Sequence, residues 1–158
     1  MPKALVIGRF QPFHIGHEFL INIALKENDS VTVAIGSSQE SRTGKNPFSY
    51  NERKKMVQSC FKGIKIISSK DFESDEEWAD DLMSKADFDT VYSNNETVSR
   101  IFRKRKIAVK KSEEIIGVSG TRIRRMIKNK ETYKELIPKP CLEVMEQMGA
   151  EKIIQSCL

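Results

Sequence analysis

Ten residues decide the fold of this chain: Gly8-Arg9-Phe10-Gln11-Pro12-Phe13-His14-Ile15-Gly16-His17. They follow an apolar run, residues 4–7, which predicts a buried strand ending at Gly8. They precede residues 18–27, whose apolar side chains recur on one helical face. The ten residues are therefore predicted to form the turn from a first strand into a first helix.

The same pattern of strand and helix continues along the chain. A second strand is predicted at residues 31–35, and further strands at 64–67, 90–92 and 107–109. Helices are predicted at 49–61, 74–85, 94–103 and 121–129. We therefore expect an α/β, Rossmann-like fold, in which a parallel sheet of about five strands is flanked by helices. In such folds ligands bind at the carboxyl ends of the strands.

The length and composition fit one domain. The chain has 158 residues, of which 39% are hydrophobic and 31% charged. After residue 130 we expect a short helix at 131–136 and a last helix beginning near Pro140, with Leu142, Met145 and Met148 on one face. The prediction is a single domain over 1–158 with a small C-terminal helical extension at about 131–158.

Several classes of protein are disfavoured by what the sequence does not contain. No apolar run approaches the ~20 residues that a membrane span needs, and no cleavable signal follows Met1. The three cysteines are scattered and odd in number, without the spacing of a disulfide framework or a zinc site. We expect a cytoplasmic protein with no membrane partner, whose cysteines are reduced and buried as hydrophobic side chains.

Charge is unevenly distributed. The net charge is +5, yet residues 71–89 hold nine acidic residues and one basic, whereas residues 100–130 hold twelve basic and two acidic. The basic region predicts affinity for anions such as phosphates. The alternative is that both runs are solvated helix faces.

The turn at residues 8–17 contains the only two histidines of the chain, His14 and His17. A strand-to-helix turn exposes backbone N–H groups and the positive end of the helix dipole, so it attracts an anion before any side chain acts. Imidazole donors at this position favour phosphate, and Gly16 would let the ligand approach the backbone. The alternatives are a helix cap, a packed ring and, less favoured for lack of a third ligand, a metal site.

A second candidate anion site lies near the other end of the chain, at residues 118–125. Ser119, Gly120 and Thr121 stand at a predicted helix start, and Arg124 follows one turn later. Hydroxyl, amide and guanidinium groups can all donate to phosphate oxygens. A plain helix cap is the alternative for this segment taken alone.

Together these motifs resemble the H-x-G-H nucleotidyltransferase superfamily and, within it, the archaeal-type nicotinamide-nucleotide adenylyltransferases. The H-x-G-H at 14–17 alone is typical of the whole superfamily, whereas the longer form beginning at Gly8 is much narrower. It favours this branch over pantetheine-phosphate or glycerol-phosphate transferases. The further matching segments are Gly36-Ser37-Ser38-Gln39, Asn46-Pro47-Phe48-Ser49 with Glu52-Arg53, Val91-Tyr92-Ser93, Ser119-Gly120-Thr121 with Arg124, and Leu136-Ile137-Pro138.

The resemblance implies transfer of the AMP moiety of ATP to the phosphate of nicotinamide mononucleotide, giving NAD and pyrophosphate with Mg²⁺. No covalent enzyme intermediate and no metal-ligating side chain are implied. It implies catalytic roles for Arg9, His14, His17 and Arg124. The implied ATP site consists of Gly8, Arg9, Phe10, His14, Gly16, His17, Ser119, Gly120, Thr121 and Arg124. The implied acceptor site consists of Gly36, Ser37, Lys45, Asp75 and Trp78.

Trp78, the only tryptophan, is expected to stack on the nicotinamide ring; the alternative is a core side chain. The chain also departs from some relatives. Asp75 stands where some relatives have Asn, and Lys45 stands where others have Arg. Residues 112–116, just before the second candidate anion site, are not rich in arginine as the corresponding segment of close relatives is. An Asp75 carboxylate facing the ring would accept a hydrogen bond from a carboxamide and repel a carboxylate, which predicts a preference for the amide substrate.

Two other functions stay open at this stage. One is the same chemistry with another phosphorylated acceptor, such as FMN. The other is a nucleotide- or RNA-binding module without catalysis, motivated by the basic region; that region holds one aromatic residue, Phe102, for base stacking. We expect no nucleic acid partner, and by analogy with relatives we expect a homo-oligomer.

Overall fold

The computed structural model describes residues 1–112 and 117–157. Five strands form one sheet, in the order β3-β2-β1-β4-β5, and every neighbouring pair is parallel. The strands are β1 (Lys3–Gly8), β2 (Ser30–Ile35), β3 (Lys65–Ser68), β4 (Thr90–Tyr92) and β5 (Ala108–Lys110). The predicted Rossmann-like α/β fold is confirmed.

Seven helices and one 3₁₀ turn accompany the sheet in the described residues. They are α1 (Ile15–Glu27), α2 (Tyr50–Cys60), α3 (Asp75–Lys85), α4 (Glu96–Lys104), α5 (Gly120–Lys128), the 3₁₀ turn (Lys134–Leu136), α6 (Lys139–Met148) and α7 (Ala150–Ser156). None of these helices is long and apolar enough to cross a membrane.

Apolar residues cover both faces of the sheet. On β1, Val6 packs into one cluster, with helices α1, α2, α5, α6 and α7. Its neighbours Leu5 and Ile7 pack into the opposite cluster, with α3 and α4. Burial on both faces explains why residues 4–7 of β1 are a continuous apolar run and why β2 is buried from Val31 to Ile35, including Thr32. Strand order reverses at β1, between β2 and β4, and at such a point a crevice opens outside the carboxyl ends of the strands.

Three helical segments differ from prediction. Helix α1 begins at Ile15 rather than residue 18, because His14 caps it from within the turn. The predicted single last helix is two helices, divided at Gly149, whose φ of 73° is left-handed and ends α6. The short helix expected at 131–136 is only the 3₁₀ turn.

The C-terminal helices pack on earlier ones, α6 against α2 and α7 against α5. The three cysteines are free; Cys141 and Cys157 are buried as expected, whereas Cys60 is only half-buried. The charge runs partly neutralise each other, because Arg105 on the α4 side contacts Asp80 of α3 at 2.6 Å and Arg100 lies 4.0 Å from Asp75.

Candidate active site

A cleft of about 750 Å³ opens at the carboxyl edge of the sheet. Pockets of this size accommodate small-molecule ligands. Both segments singled out in the sequence line this one cleft, together with the ends of β2 and β4. The predicted residues that line it are Gly8, Arg9, Phe10, His14, Gly16, His17, Gly36, Ser37, Trp78, Ser119, Gly120, Thr121 and Arg124.

The two histidines cap helix α1 and stack on each other. Nδ1 of His14 accepts the N–H of Gly16 at 3.1 Å, and Nδ1 of His17 accepts the N–H of His14 at 3.3 Å. The ring centroids are 3.7 Å apart and nearly parallel. His14 and His17 therefore cap the helix and also line the cleft, so these two roles do not exclude each other.

This arrangement fixes the protonation of both rings. Burial lowers the pKa of His14 to about 4, and burial with the charge of His14 lowers the pKa of His17 well below 6.5. Both imidazoles are therefore neutral at pH 7. Because each Nδ1 accepts a hydrogen bond, the single ring proton is on Nε2. Each ring thus carries one N–H donor that the cap does not use.

Gly16 makes room for this histidine pair. A Cβ at position 16 would lie 2.9 Å from Cε1 of His14, closer than side chains tolerate. The glycine expected to admit a ligand to the backbone therefore also admits the His14 ring.

Arg124 joins the two segments of the cleft directly. Its Nη1 donates to the carbonyl oxygen of Gln11 at 2.7 Å, and its Nη2 lies 3.4 Å from Oγ1 of Thr121. A Cβ at Gly120 would lie 3.0 Å from the same Gln11 oxygen, so the glycine permits this contact. Ser119 caps α5 by accepting the N–H of Arg122, and its hydroxyl donates to no group in residues 1–112 and 117–157.

Sequence reasoning missed Gln11 as an organising residue. Its side-chain amide exchanges two 3.0 Å hydrogen bonds with the backbone of Phe48, which ties the turn to the segment before α2. Sequence reasoning also assigned no role to Ser93, which the resemblance included, or to Asn94 and Asn95; all three line the cleft after β4. Their position at the carboxyl end of a central parallel strand was the signal that could have found them.

Arg53 lies beneath the cleft and is completely buried. The sequence resemblance included it without assigning a role. Its spacing to Met56, Val57 and Cys60 places it on the inner face of α2. This spacing was the sequence signal from which its burial could have been predicted. Burial and the charge of Arg9 lower its pKa to about 10, so it is protonated at pH 7.

The cleft carries uncompensated positive charge. Within residues 1–112 and 117–157, Arg9, Arg53 and Arg124 each lack a carboxylate at ion-pair distance. Burial and the charge of Arg9 lower the pKa of Arg124. An anionic ligand would relieve this repulsion, as a phosphate-binding site requires.

On the opposite side of the cleft, Trp78 packs its ring against Phe102 at 5.7 Å and donates from Nε1 to Oγ of Ser69 at 3.0 Å. Phe102 is completely buried. Nearby, the hydroxyl of Ser37 donates to the carboxylate of Asp71 at 3.1 Å. Asp71 lines the cleft, and the sequence had not singled it out.

Two predicted acceptor residues do not line the cleft. Lys45 is exposed in the loop before α2, and Asp75 lies at the start of α3 near Arg100. The carboxylate that faces this space is that of Asp71. Residues 113–116, part of the segment that departs from the relatives, lie outside the described residues.

No cluster of three or more metal-ligating side chains occurs in the described residues. Among the described residues that line the cleft, Asp71 is the single one with a carboxylate, and Ser37 and Gln39 donate hydrogen bonds to it. The donors of the cleft suit phosphate oxygens rather than a cation.

The family described as cytidylyltransferase-like matches residues 5–126, a range that includes both segments of the cleft. The nicotinamide-nucleotide adenylyltransferase of Methanolobus tindarius is 36% identical over 99% of this chain and 94% of its own length. That of Thermoplasma volcanium is 34% identical over 97% and 91%. The chain belongs to the nicotinamide-nucleotide adenylyltransferase branch of the cytidylyltransferase-like family.

Solved structures give the same fold for this adenylyltransferase-family chain. A bifunctional NMN adenylyltransferase/ADP ribose pyrophosphatase from Francisella tularensis, complexed with AMP and a Mn ion, superimposes with a TM-score of 0.79 at 24% identity. The match covers 98% of this chain and 52% of that one, so the present chain spans about half of the bifunctional protein.

Proposed function

We propose that this protein transfers the AMP moiety of ATP to the phosphate of nicotinamide mononucleotide, forming NAD and pyrophosphate. The observation that carries the proposal is the meeting of the histidine turn and the start of α5 in one positively charged cleft. The relatives that match nearly the whole chain are nicotinamide-nucleotide adenylyltransferases.

The reaction needs alignment and charge neutralisation rather than an enzyme nucleophile. A phosphate oxygen of the acceptor attacks the α-phosphorus of ATP in line, and the bond to pyrophosphate breaks. The Nε2–H groups of His14 and His17 donate to the ATP phosphates, and Arg9 lies between the two reacting phosphates. Ser119, Thr121 and Arg124 hold the β and γ phosphates. His14, His17 and Arg124 are held in place by hydrogen bonds before the substrate binds, so they stabilise the charge that develops on the leaving pyrophosphate.

Mg²⁺ enters this reaction as part of the MgATP substrate. Mg²⁺ is commonly bound through phosphate oxygens and water, with few protein ligands. The lining residues that the structure describes include one carboxylate, that of Asp71, which fits this arrangement. The solved F. tularensis relative is complexed with AMP and a Mn ion.

The acceptor lies on the Trp78 side, beyond the ends of β2 and β3. A cationic pyridinium stacked on indole gains roughly 1 kcal/mol or more. Ser37 and Gly36 face the phosphate of this nucleotide. Asp71, rather than Asp75, is the carboxylate available to accept a hydrogen bond from the carboxamide. Lys45 is left with at most a longer-range electrostatic contribution.

The test is a pyrophosphate-release assay with MgATP and a panel of acceptors: nicotinamide mononucleotide, nicotinate mononucleotide and FMN. NAD formation with the first supports the proposal. Release only with FMN would move the reaction to the alternative acceptor. Tight, salt-sensitive RNA binding without pyrophosphate release from any acceptor would favour the binding module instead.

Three further expectations accompany this function and remain predictions: a single domain, a cytoplasmic location and a homo-oligomer. Light scattering during gel filtration measures the oligomeric state. A monomer at micromolar concentration would contradict the expected assembly.

A further inference from the structure

The buried guanidinium of Arg53 holds the carboxyl ends of two adjacent strands. Its Nη1 donates to the carbonyl oxygen of Arg9, after β1, at 3.0 Å, and to that of Gly36, after β2, at 2.6 Å. Nη2 donates to the carbonyl oxygen of Ser37 at 3.1 Å, and Nε to that of Ser49 at 3.2 Å. One side chain from α2 therefore binds the equivalent turns that follow β1 and β2.

These two turns share an unusual backbone conformation. The residue that follows each of the two carbonyls bonded by Nη1 has a positive φ: 54° at Phe10 and 47° at Ser37. Neither residue is glycine, so each conformation costs of order 1 kcal/mol and persists only where surrounding contacts impose it. The hydrogen bonds from Arg53 are contacts of this kind.

The direction of the peptide groups follows from their planarity. In a trans peptide the N–H points opposite to the carbonyl. The carbonyls of Arg9 and Gly36 point down to Arg53, so the N–H groups of Phe10 and Ser37 point the other way, toward the cleft that both residues line. Neither N–H donates a hydrogen bond to the described part of the protein.

We propose that Arg53 is a positioning residue, which acts through the peptide groups it holds and turns the N–H groups of Phe10 and Ser37 toward a phosphate group of the substrates. The inference rests on the proposed function for the identity of those substrates. The residue itself touches no ligand, because it is fully buried and does not line the cleft.

The chemistry of arginine suits this role. A buried charge without a carboxylate partner is costly, and an apolar residue would anchor α2 to the core more cheaply. Only the planar guanidinium supplies several donors in fixed, diverging directions. The lysine ammonium is a single point and cannot reach all four carbonyl oxygens at once.

Kinetics and binding separate positioning from mere stability. For Arg53→Lys we expect a ten- to hundredfold lower kcat, since small misplacements of this kind have such effects. We expect the affinity for pyrophosphate, measured by calorimetry, to fall about tenfold. The matched control is Val57→Ala, one turn along the inner face of α2, which removes buried contacts without touching either turn. It should lower Tm while kcat and pyrophosphate affinity stay unchanged at 25 °C.

Backbone NMR gives the direct readout. In the wild type, pyrophosphate or nicotinamide mononucleotide should shift the amide proton of Phe10 or Ser37 downfield, and the ligand that does so identifies the phosphate bound. Arg53→Lys should lose this shift. The proposal is overturned if Arg53→Lys behaves like Val57→Ala, or if neither amide responds in the wild type.

The binding and NMR measurements do not depend on turnover. If the wild type forms no NAD but the pyrophosphate-dependent amide shifts require Arg53, the proposed function fails and the positioning role stands. Arg53→Met, which removes every donor, adds a more severe variant. If it does not fold, Arg53→Lys decides the outcome.

Discussion

The guanidinium of Arg124 donates a 2.7 Å hydrogen bond to the carbonyl oxygen of Gln11, 113 positions away in the chain. This bond places the start of α5 against the histidine turn, so the donors on both sides of the cleft hold a fixed distance from each other. A triphosphate that bridges them meets groups already in place, which reduces the entropy lost on binding.

Replacing Arg124 with Ala should mainly weaken ATP binding, by about ten- to a hundredfold in Kd, because a charge-assisted donor and the link to Gln11 are both lost. Calorimetric titration with ATP measures this effect. Arg125→Ala is the control, since it removes an equal charge from the exposed face of the same helix. Equal losses in the two variants would indicate a general charge effect.

His17→Ala should lower turnover by roughly ten- to a thousandfold, the effect of losing one transition-state donor. His17→Asn is the sharper variant. Its side-chain oxygen can replace Nδ1 as acceptor for the His14 N–H, whereas the Nε2 donor is lost. We expect Tm close to that of the wild type with turnover as low as in the alanine variant. Unchanged turnover would remove His17 from the mechanism.

The free energy of unfolding of the ligand-free protein should decrease as the pH is lowered from 6.5 to 4. The unfolded chain protonates His14 near pH 6.5, whereas the folded ring does so only near pH 4. Between these values the unfolded state binds more protons, so stability decreases as pH falls, by up to about 3 kcal/mol for this group. Urea unfolding from pH 7.5 to 4 measures the slope.

His14→Asn provides the control for this pH dependence, because asparagine caps helices well and does not titrate. Its stability should depend less steeply on pH in the same window. Parallel curves for the two proteins would show that His14 is not the titrating group.

Gly120→Ala should disturb the contact between α5 and the turn. The new Cβ would lie 3.0 Å from the Gln11 oxygen and 3.1 Å from Nη1 of Arg124, both held in place. We expect a loss of about 1–3 kcal/mol of stability, on the scale of overpacking, and weaker ATP binding. Unfolding and titration on the same sample measure both. Wild-type ATP affinity would contradict the need for this close approach.

Acceptor preference should depend on Trp78 and Asp71. Trp78→Leu should raise KM for nicotinamide mononucleotide and leave KM for ATP unchanged, whereas Trp78→Phe keeps an aromatic face and should have a smaller effect.

Asp71→Asn should reduce the preference for the amide over nicotinate mononucleotide, since it removes the repelling charge. Equal turnover of both acceptors by the wild type would defeat the predicted preference.

The main features of the fold follow from local sequence signals. Apolar runs that stop at Gly8 and Gly36 predict parallel strands. The Ser-x-x-Glu spacing at residues 49–52 and 74–77 predicts a capping box at each helix start; α2 has the full box, whereas at α3 only the Ser74 side chain accepts the N–H of Glu77. The break at Gly149 was missed because the apolar spacing of the C-terminal segment reads as one helix. A single left-handed residue suffices to separate α6 from α7.

The site was predictable where a rare residue type occurs in a position that indicates a single kind of ligand. Two histidines in a strand-to-helix turn indicated a phosphate site in the sequence, and both line the cleft. Arg53 was harder to interpret, because it stands among charged neighbours and its burial depends on carbonyl oxygens from β1 and β2, distant in sequence. Asp75 was predicted from the resemblance alone, and its place at the start of α3 puts its carboxylate 4.0 Å from Arg100.

The packing of the last two helices bears on how the protein is made. Helix α6 lies on α2, which carries Arg53, and α7 lies on α5, which carries Arg124. During translation the apolar faces of α2 and α5 stay uncovered until residues 139–157 have left the ribosome. A chain that lacks residues 139–157 would therefore leave apolar surface exposed on the two helices that carry Arg53 and Arg124, and we expect it to be prone to aggregation and proteolysis.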